Sequence, residues 1–205
     1  NHSWSYRYDF SDILEKPSFD LSDFVSVNYR GTTYNSSNPN PSGWTLAGLE
    51  TDFGFASNKM KINSDYAAIN ADVEDAISEG VVIVAAAGNN NFHCVPDGNP
   101  DYSNTVTFIN GISYFYNRGA SPGNSLNSIC VGSLSNHHNF RRSTFSNFGP
   151  LIDIFAPGNK ILSAYDSSGL ADNKYGGAPN YYYPINGTSM ASPQVAGVLA
   201  CLATG

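Results

Sequence analysis

The chain has 205 residues, of which 13% are charged, and its formal net charge is −7 at pH 7. Nucleic acids and anionic membrane surfaces bind clustered Lys and Arg, whereas this sequence contains a single adjacent basic pair, Arg141-Arg142. The composition therefore argues against both partners, and the length suits one domain with a substantial core.

Two further features of the composition narrow the class of protein. No run of about 18 apolar residues occurs, so no membrane-spanning helix is predicted. The three cysteines, Cys94, Cys130 and Cys201, leave at least one thiol unpaired if any disulfide forms, and their spacing is not that of a metal site. Cys130 lies in an apolar run and Cys201 on an apolar helical stripe, so we expect both to be buried.

Two long segments are rich in Asn, Ser, Pro and Tyr and show little hydrophobic periodicity. They span about residues 6–63 and 90–127. Loops of this length in a compact domain are usually functional or inserted, and we interpret both as insertions. Within the first segment, residues 24–29 have the composition of a strand.

The middle of the chain reads as an α/β unit. Ser64 or Asp65 caps a predicted helix that runs through about Ser78, and Gly80 follows as a stop signal. Residues 81–87 then form a continuous apolar run, which is typical of a strand buried on both faces of a parallel sheet. Further strands are predicted at Ile129–Leu134, over 151–158 before a Pro-Gly turn, and from Ile161. The sequence therefore indicates the α/β class.

Near the C-terminal end, a polar turn delivers Ser189 onto the first turn of a predicted helix. Backbone N–H groups at a helix start can face a reacting oxygen, which makes Ser189 a candidate nucleophile. The alternative is that Thr188 or Ser189 only caps the helix. An apolar stripe leads us to expect this helix to be buried; it consists of Val195, Val198, Leu199 and Leu202.

The string Gly-Thr-Ser-Met-Ala-Ser-Pro over 187–193 resembles the nucleophile motif of the subtilisin-like serine proteases, or subtilases. The resemblance implies that Ser189 is the catalytic serine. Most of the family carries His where this chain has Gln194, but that position belongs to the helix and not to the catalytic group.

A second resemblance concerns the end of the apolar run, Val-Val-x-Val-Ala-Ala-Ala-Gly-Asn over 81–89. From the residues alone, Asn89 could be an ordinary turn residue. In subtilases the matching Asn donates its side-chain amide to the oxyanion, and the resemblance therefore implies this role for Asn89. Ala86, Ala87 and Gly88 would line the pocket for the residue before the cleaved bond.

Three shorter strings resemble the same family. Residues 1–5 resemble the segment Asn-x-Ser-x-Gly, although the final Gly is Ser5 here, and the resemblance implies that Ser3, Trp4 and Ser5 form one side of the substrate cleft. Residues 145–150 and 153–158 resemble Phe-Ser-x-x-Gly-Pro and Asp-x-x-Ala-Pro-Gly. In the last motif the Asp is structural, so we do not assign Asp153 to catalysis.

Acyl transfer to serine also needs a base and a carboxylate that orients the base. The family's Asp-[Thr/Ser]-Gly and His-Gly-Thr-His-like strings do not occur in this sequence. His93 lies near Asn89 in sequence, but a histidine in a loop is usually only solvated, and we do not assign it as the base. The other histidines, His2, His137 and His138, also stand in the wrong context.

By resemblance, residues 1–205 are thus the C-terminal two thirds of a catalytic domain. The implied fold is a subtilisin-like three-layer α/β/α arrangement with a mainly parallel sheet whose N-terminal part is missing. The implied function is a serine endopeptidase acting on proteins or peptides, with the triad Asp and His supplied by an N-terminal segment or a second chain. The alternative is an inactive scaffold or binding protein of the same fold.

Three weaker implications follow from the same resemblance. The small, uncharged residues of the pocket favour a large apolar side chain before the scissile bond. No cofactor is expected; the family allows a structural calcium ion, but the sequence identifies no site for one. The family also favours an extracellular location.

Overall fold

The computed structural model describes residues 20–54, 67–136, 140–165, 175–177 and 180–203. In chain order the helices are α1 (Leu46–Phe53), α2 (Ala67–Ser78) and α3 (Thr188–Ala203). The strands are β1 (Phe24–Tyr29), β2 (Thr32–Tyr34), β3 (Val84–Ala86), β4 (Thr105–Phe108), β5 (Ser113–Phe115), β6 (Ile129–Leu134), β7 (Ile154–Pro157), β8 (Ile161–Tyr165), β9 (Tyr175–Gly177) and β10 (Asn180–Ile185). The chain divides into two compact units.

The first unit comprises residues 1–62 and 103–116, so its described elements come from both segments interpreted as insertions. Its antiparallel sheet has the order β2-β1-β4-β5, and the strand predicted at 24–29 is confirmed. The sheet and α1 share a core formed by Phe24, Val27, Leu49, Val106, Phe108 and Tyr116.

Helix α1 was not predicted from the sequence. The Thr45 hydroxyl accepts a hydrogen bond from the Gly48 N–H at 3.0 Å, and Gly54 ends the helix with φ +79°. A hydroxyl cap and a left-handed glycine are the usual boundaries of a helix, and both were present in the sequence. The helix has only 8 residues, too few to show a clear apolar period.

The second unit comprises residues 63–102 and 117–205 and contains the parallel sheet, in the order β3-β6-β7. This sheet confirms the predicted α/β class, and β6 matches the predicted strand residue for residue. The side chains between this sheet and α3 are chiefly Val131, Ala156 and Ala191. Since the strands run parallel, the residues that follow Ala86 and Pro157 lie at the same edge of the sheet.

The run at 81–87 and the last helix are less buried than predicted. Only Val84–Ala86 is a strand, at the edge of the described sheet, while Val81 and Val82 are 50% and 65% exposed. In α3, Val198 and Leu202 are 60% and 71% exposed, so the expectation of a buried helix is wrong. Val198 and Leu202 are exposed because only the first turn of α3 is buried, at Thr188 and Ala191.

Helix α2 ends at Ser78, and Gly80 follows with φ +88°, as predicted. Its predicted start at Ser64 or Asp65 lies outside the described residues. The helix is fixed by polar contacts with one loop. The Ser125 hydroxyl donates to Asn70 Oδ1 at 2.8 Å, and the Leu126 N–H donates to Glu74 Oε1 at 3.3 Å.

The three cysteines lie in two different environments. Cys94 and Cys130 are buried, as expected for Cys130, and burial raises the pKa of both thiols to about 12. Cys201 is exposed, so its predicted burial is wrong. It lies on the part of α3 beyond the residues that this helix buries.

We therefore expect only Cys201 to react when the folded protein is pulsed with iodoacetamide at pH 8. The thiolate is the nucleophile, and with a pKa of about 12 only roughly 10⁻⁴ of each buried thiol is ionised at that pH. Peptide mapping by mass spectrometry measures the modification of each cysteine. Equal reaction of all three in urea is the control, and rapid modification of Cys94 or Cys130 in the folded protein would contradict the assignment.

Candidate active site

Ser189 is the second residue of α3, and it is exposed at the start of the helix. The preceding turn is held by the Gly187 N–H, which donates to the Gly158 carbonyl at 2.8 Å. A Cβ atom at Gly158 would lie only 2.6 Å from the Gly187 carbonyl oxygen. Glycine at 158 is therefore what allows the turn after β7 to approach the backbone that carries Ser189.

Thr188 fixes the side chain of Asn89. The Thr188 N–H and hydroxyl lie 2.9 and 3.0 Å from Asn89 Oδ1, and the Gly88 N–H donates to the same hydroxyl at 3.1 Å. A backbone N–H can only donate, so the amide atom that faces it must be the oxygen. The amide nitrogen of Asn89 therefore points the other way, and it lies 3.5 Å from the position of a Cβ on Gly187.

The backbone on both sides of Asn89 is held by Asn147, which is fully buried. Asn147 Nδ2 donates to the Ala87 carbonyl at 2.8 Å, and Oδ1 accepts from the N–H groups of Asn90 and Phe92 at 3.1 and 3.0 Å. Sequence reasoning missed this residue because it occupies a variable position in the Phe-Ser-x-x-Gly-Pro string.

Gln194, which stands where most of the family has His, links α3 to the turn after β7. Its side-chain amide donates to the Pro157 carbonyl at 2.5 Å and to the Met190 carbonyl at 3.0 Å. The helix start and the turn are thus joined by both the Gln194 side chain and the Gly187 backbone. With Gln in place of the family's His at position 194, α3 is still hydrogen-bonded to the turn after β7.

The three residues assigned to the substrate pocket differ in exposure. Ala87 is buried, and its N–H donates to the Val131 carbonyl at 2.9 Å. Ala86 and Gly88 are half-buried, and Gly88 has φ +100°, a conformation that strains other residues. The other three residues predicted to bind substrate, Ser3, Trp4 and Ser5, lie outside the described residues.

Asp153 and His93, the acidic and histidine side chains that were not assigned to catalysis, contact Cys130 and Phe148. The Asp153 carboxylate accepts from the Cys130 N–H at 2.7 Å, and the Asp153 N–H donates to the Cys130 carbonyl at 3.0 Å, which supports a structural role. The His93 ring packs against Phe148, with 5.5 Å between the ring centres. His2, His137 and His138 lie outside the described residues, and His93 forms no hydrogen bond with Ser189.

Among the residues that the structure describes, no group of three or more His, Cys, Asp or Glu side chains could hold a metal ion. None of the described helices combines the length and the apolar character that a membrane span requires.

Ser189 thus lies at the start of a helix, directly after the residue that binds the Asn89 side chain. A family model described as "Subtilase family" matches residues 26–204. The chain therefore belongs to the subtilase family.

Curated relatives agree with this assignment. An alkaline proteinase of Hapsidospora chrysogena is 37% identical over 148 residues, which cover 72% of this chain and 28% of the relative. Subtilisin-like protease 2 of Pseudogymnoascus destructans is 38% identical over 144 residues, which cover 70% and 27%. The chain thus spans little more than a quarter of the length of these relatives. A solved cold-adapted subtilisin-like serine proteinase is 28% identical, with a TM-score of 0.46 over 82% of this chain and 50% of that one.

We expect Thr188→Val to lower the free energy of unfolding by about 1–3 kcal/mol, because the Gly88 N–H loses its acceptor in a site with little access to water. Equilibrium unfolding in urea measures the change, in a Ser189→Ala background that prevents self-digestion. The matched control is Thr144→Val, which removes a hydroxyl from an exposed threonine. Equal effects of the two substitutions would contradict the role of Thr188.

Proposed function

We propose that this chain is part of a serine endopeptidase in which Ser189 is the nucleophile and Asn89 is a donor to the oxyanion. The observation that carries the proposal is the pair of hydrogen bonds from Thr188 to Asn89 Oδ1. They leave the Asn89 amide nitrogen directed away from Thr188, close to the turn that presents Ser189.

In the proposed reaction, Ser189 Oγ attacks the carbonyl carbon of the peptide bond and gives its proton to a base. The carbonyl oxygen becomes an oxyanion, which Asn89 Nδ2 stabilises together with the backbone N–H of Ser189. The first N–H groups of a helix have no acceptor within it, so the N–H of Ser189 is suited to this role. Both donors are fixed before the charge develops, which is why they favour the transition state over the bound substrate.

The Asp and His of the triad are proposed to come from an N-terminal segment or a second chain. Two observations support an additional element beside the second unit. Strand β3 is at the edge of the described parallel sheet. The apolar side chains of Val81 and Val82, which precede this strand in the chain, are exposed. Val198 and Leu202 add further exposed apolar surface on α3. An apolar surface and an unpaired strand edge are usually covered by another element.

The substrate is proposed to be a protein or peptide with a large apolar residue before the scissile bond. Ala86, Ala87 and Gly88 carry no charged group, so a charged side chain would find no partner among them. Ser3, Trp4 and Ser5 would form one side of the cleft. The relatives are named as alkaline and subtilisin-like proteases, and an extracellular location is proposed from the family.

An activated fluorophosphonate is expected to label Ser189 in the complete protease, since among the serines that the structure describes only Ser189 combines exposure at a helix start with the nearby Asn89 amide. Ser189→Ala should abolish the label, whereas Ser192→Ala, a change in the same helix, should retain it. The isolated 205-residue chain should react slowly, because the base that takes the proton of the hydroxyl is proposed to come from another segment or chain. Peptide mapping locates the label. Labelling of another serine, or none in a protein that cleaves peptides, would contradict the proposal.

Asn89→Ala is expected to lower kcat by about 10²–10³ with little change in KM, a magnitude established for one such donor in subtilisin, which belongs to this family. Asn89→Asp should cause a similar loss, because it retains the acceptor for Thr188 but lacks the donor. Steady-state kinetics on a peptide anilide measures both. A change confined to KM would mean that Asn89 binds substrate and does not stabilise the oxyanion.

A further inference from the structure

The loop that follows β3 is held by hydrogen bonds from one buried residue, Asn147. Its amide and backbone N–H bind the loop at Ala87, Gly88, Asn90 and Phe92, with the Asn147 N–H donating to the Gly88 carbonyl at 2.9 Å. These four partners lie on both sides of Asn89. None of the bonds involves Asn89 itself, so its side chain remains available to the site.

The fit between Asn147 and this loop is close. A Cβ at Gly88 would lie 2.6 Å from Asn147 Nδ2, and Gly88 adopts φ +100°. Each atom of the Asn147 amide group that can form a hydrogen bond is used, and the residue is fully buried. Water therefore cannot replace a lost bond to this amide without opening the structure.

A second residue, Arg142, binds the same loop at Asn91. Arg142 Nη1 donates to Asn91 Oδ1 at 2.9 Å, and the guanidinium stacks over the Phe148 ring at 4.6 Å. The segment 142–148 thus holds residues 87–92 at several points. Asn147 is the member of this segment whose bonds come closest to Asn89 along the chain.

We infer that Asn147 is a positioning residue for catalysis, which sets the location of the Asn89 amide relative to Ser189; this inference rests on the proposed function. Thr188 fixes the direction of the Asn89 side chain, and Asn147 fixes the backbone from which it extends. Asn147 does not contact the reacting atoms. The proposed effect of Asn147 on kcat passes through Asn89.

The test compares Asn147→Asp with Asn89→Ala and with the double variant in the complete protease. Asp has the shape of Asn and can still accept from Asn90 and Phe92, but its carboxylate cannot donate to the Ala87 carbonyl. The matched control is Ser143→Ala, which removes a buried hydroxyl that faces Ser133 at 2.8 Å and not the Asn89 loop. Rates are expressed per molecule that binds an uncleaved peptide inhibitor, so a partly folded variant is still measured.

We expect Asn147→Asp to lower kcat on the order of 10- to 100-fold with little change in KM, because a displacement of about 1 Å at a reacting group has such an effect. Affinity for a peptide aldehyde, whose adduct places an oxygen in the oxyanion site, should fall by a similar factor. In the Asn89→Ala background, Asn147→Asp should lower kcat by less than about 3-fold, because the effects of two substitutions that remove the same function are not additive.

The outcomes separate this inference from the function on which it rests. If Asn89→Ala leaves kcat unchanged, the proposed oxyanion donor is wrong. If Asn89→Ala lowers kcat but Asn147→Asp changes only KM, or has its full effect in the double variant, Asn147 does not act through Asn89. A loss of kcat in Ser143→Ala as large as that in Asn147→Asp would show a general effect of the buried segment and would also overturn the inference.

Discussion

The candidate site depends on the hydrogen bond between the Thr188 N–H and Asn89 Oδ1. It joins the loop after β3 to the first residue of α3, and both residues that it connects are held by their own elements. Thr188 is fully buried in the first turn of α3, and Asn147 binds the backbone on both sides of Asn89. Because Thr188 binds the side-chain oxygen of Asn89, the side-chain nitrogen must point away from Thr188. The orientation of the proposed donor therefore follows from packing and does not require a substrate to induce it.

Strands and helix boundaries were predictable where the signal is local. Strand β6 is an apolar run bounded by polar residues, and its observed bounds are the predicted ones. The start of α3 follows from a polar turn before small residues, and Gly80 marks the end of α2. Exposure was less predictable. Periodicity identifies which residues share a face, but it does not show whether another element covers that face, as Val198 and Cys201 illustrate.

The candidate site was predictable in part for a related reason. Ser189 and Asn89 stand in strings whose order resembles a known family, so each could be assigned a role without its neighbours. Asn147 and Gln194 could not be assigned in this way. Their roles consist of hydrogen bonds to the carbonyl and N–H groups of distant segments, such as Ala87 and Pro157, and backbone groups carry no sequence signal. Only the folded chain shows which of several buried asparagines binds the loop.

The first unit is assembled from two separate stretches of sequence, and this affects the order in which the protein can fold during synthesis. Strand β1 pairs with β2 at once, but its other partner, β4, is translated only after α2 and β3 have been made. Until then Phe24 and Val27 lack the strand that completes the core they share with α1. Until β4 is made, the nascent chain thus exposes these two apolar side chains, which is a natural binding site for chaperones and a risk for aggregation.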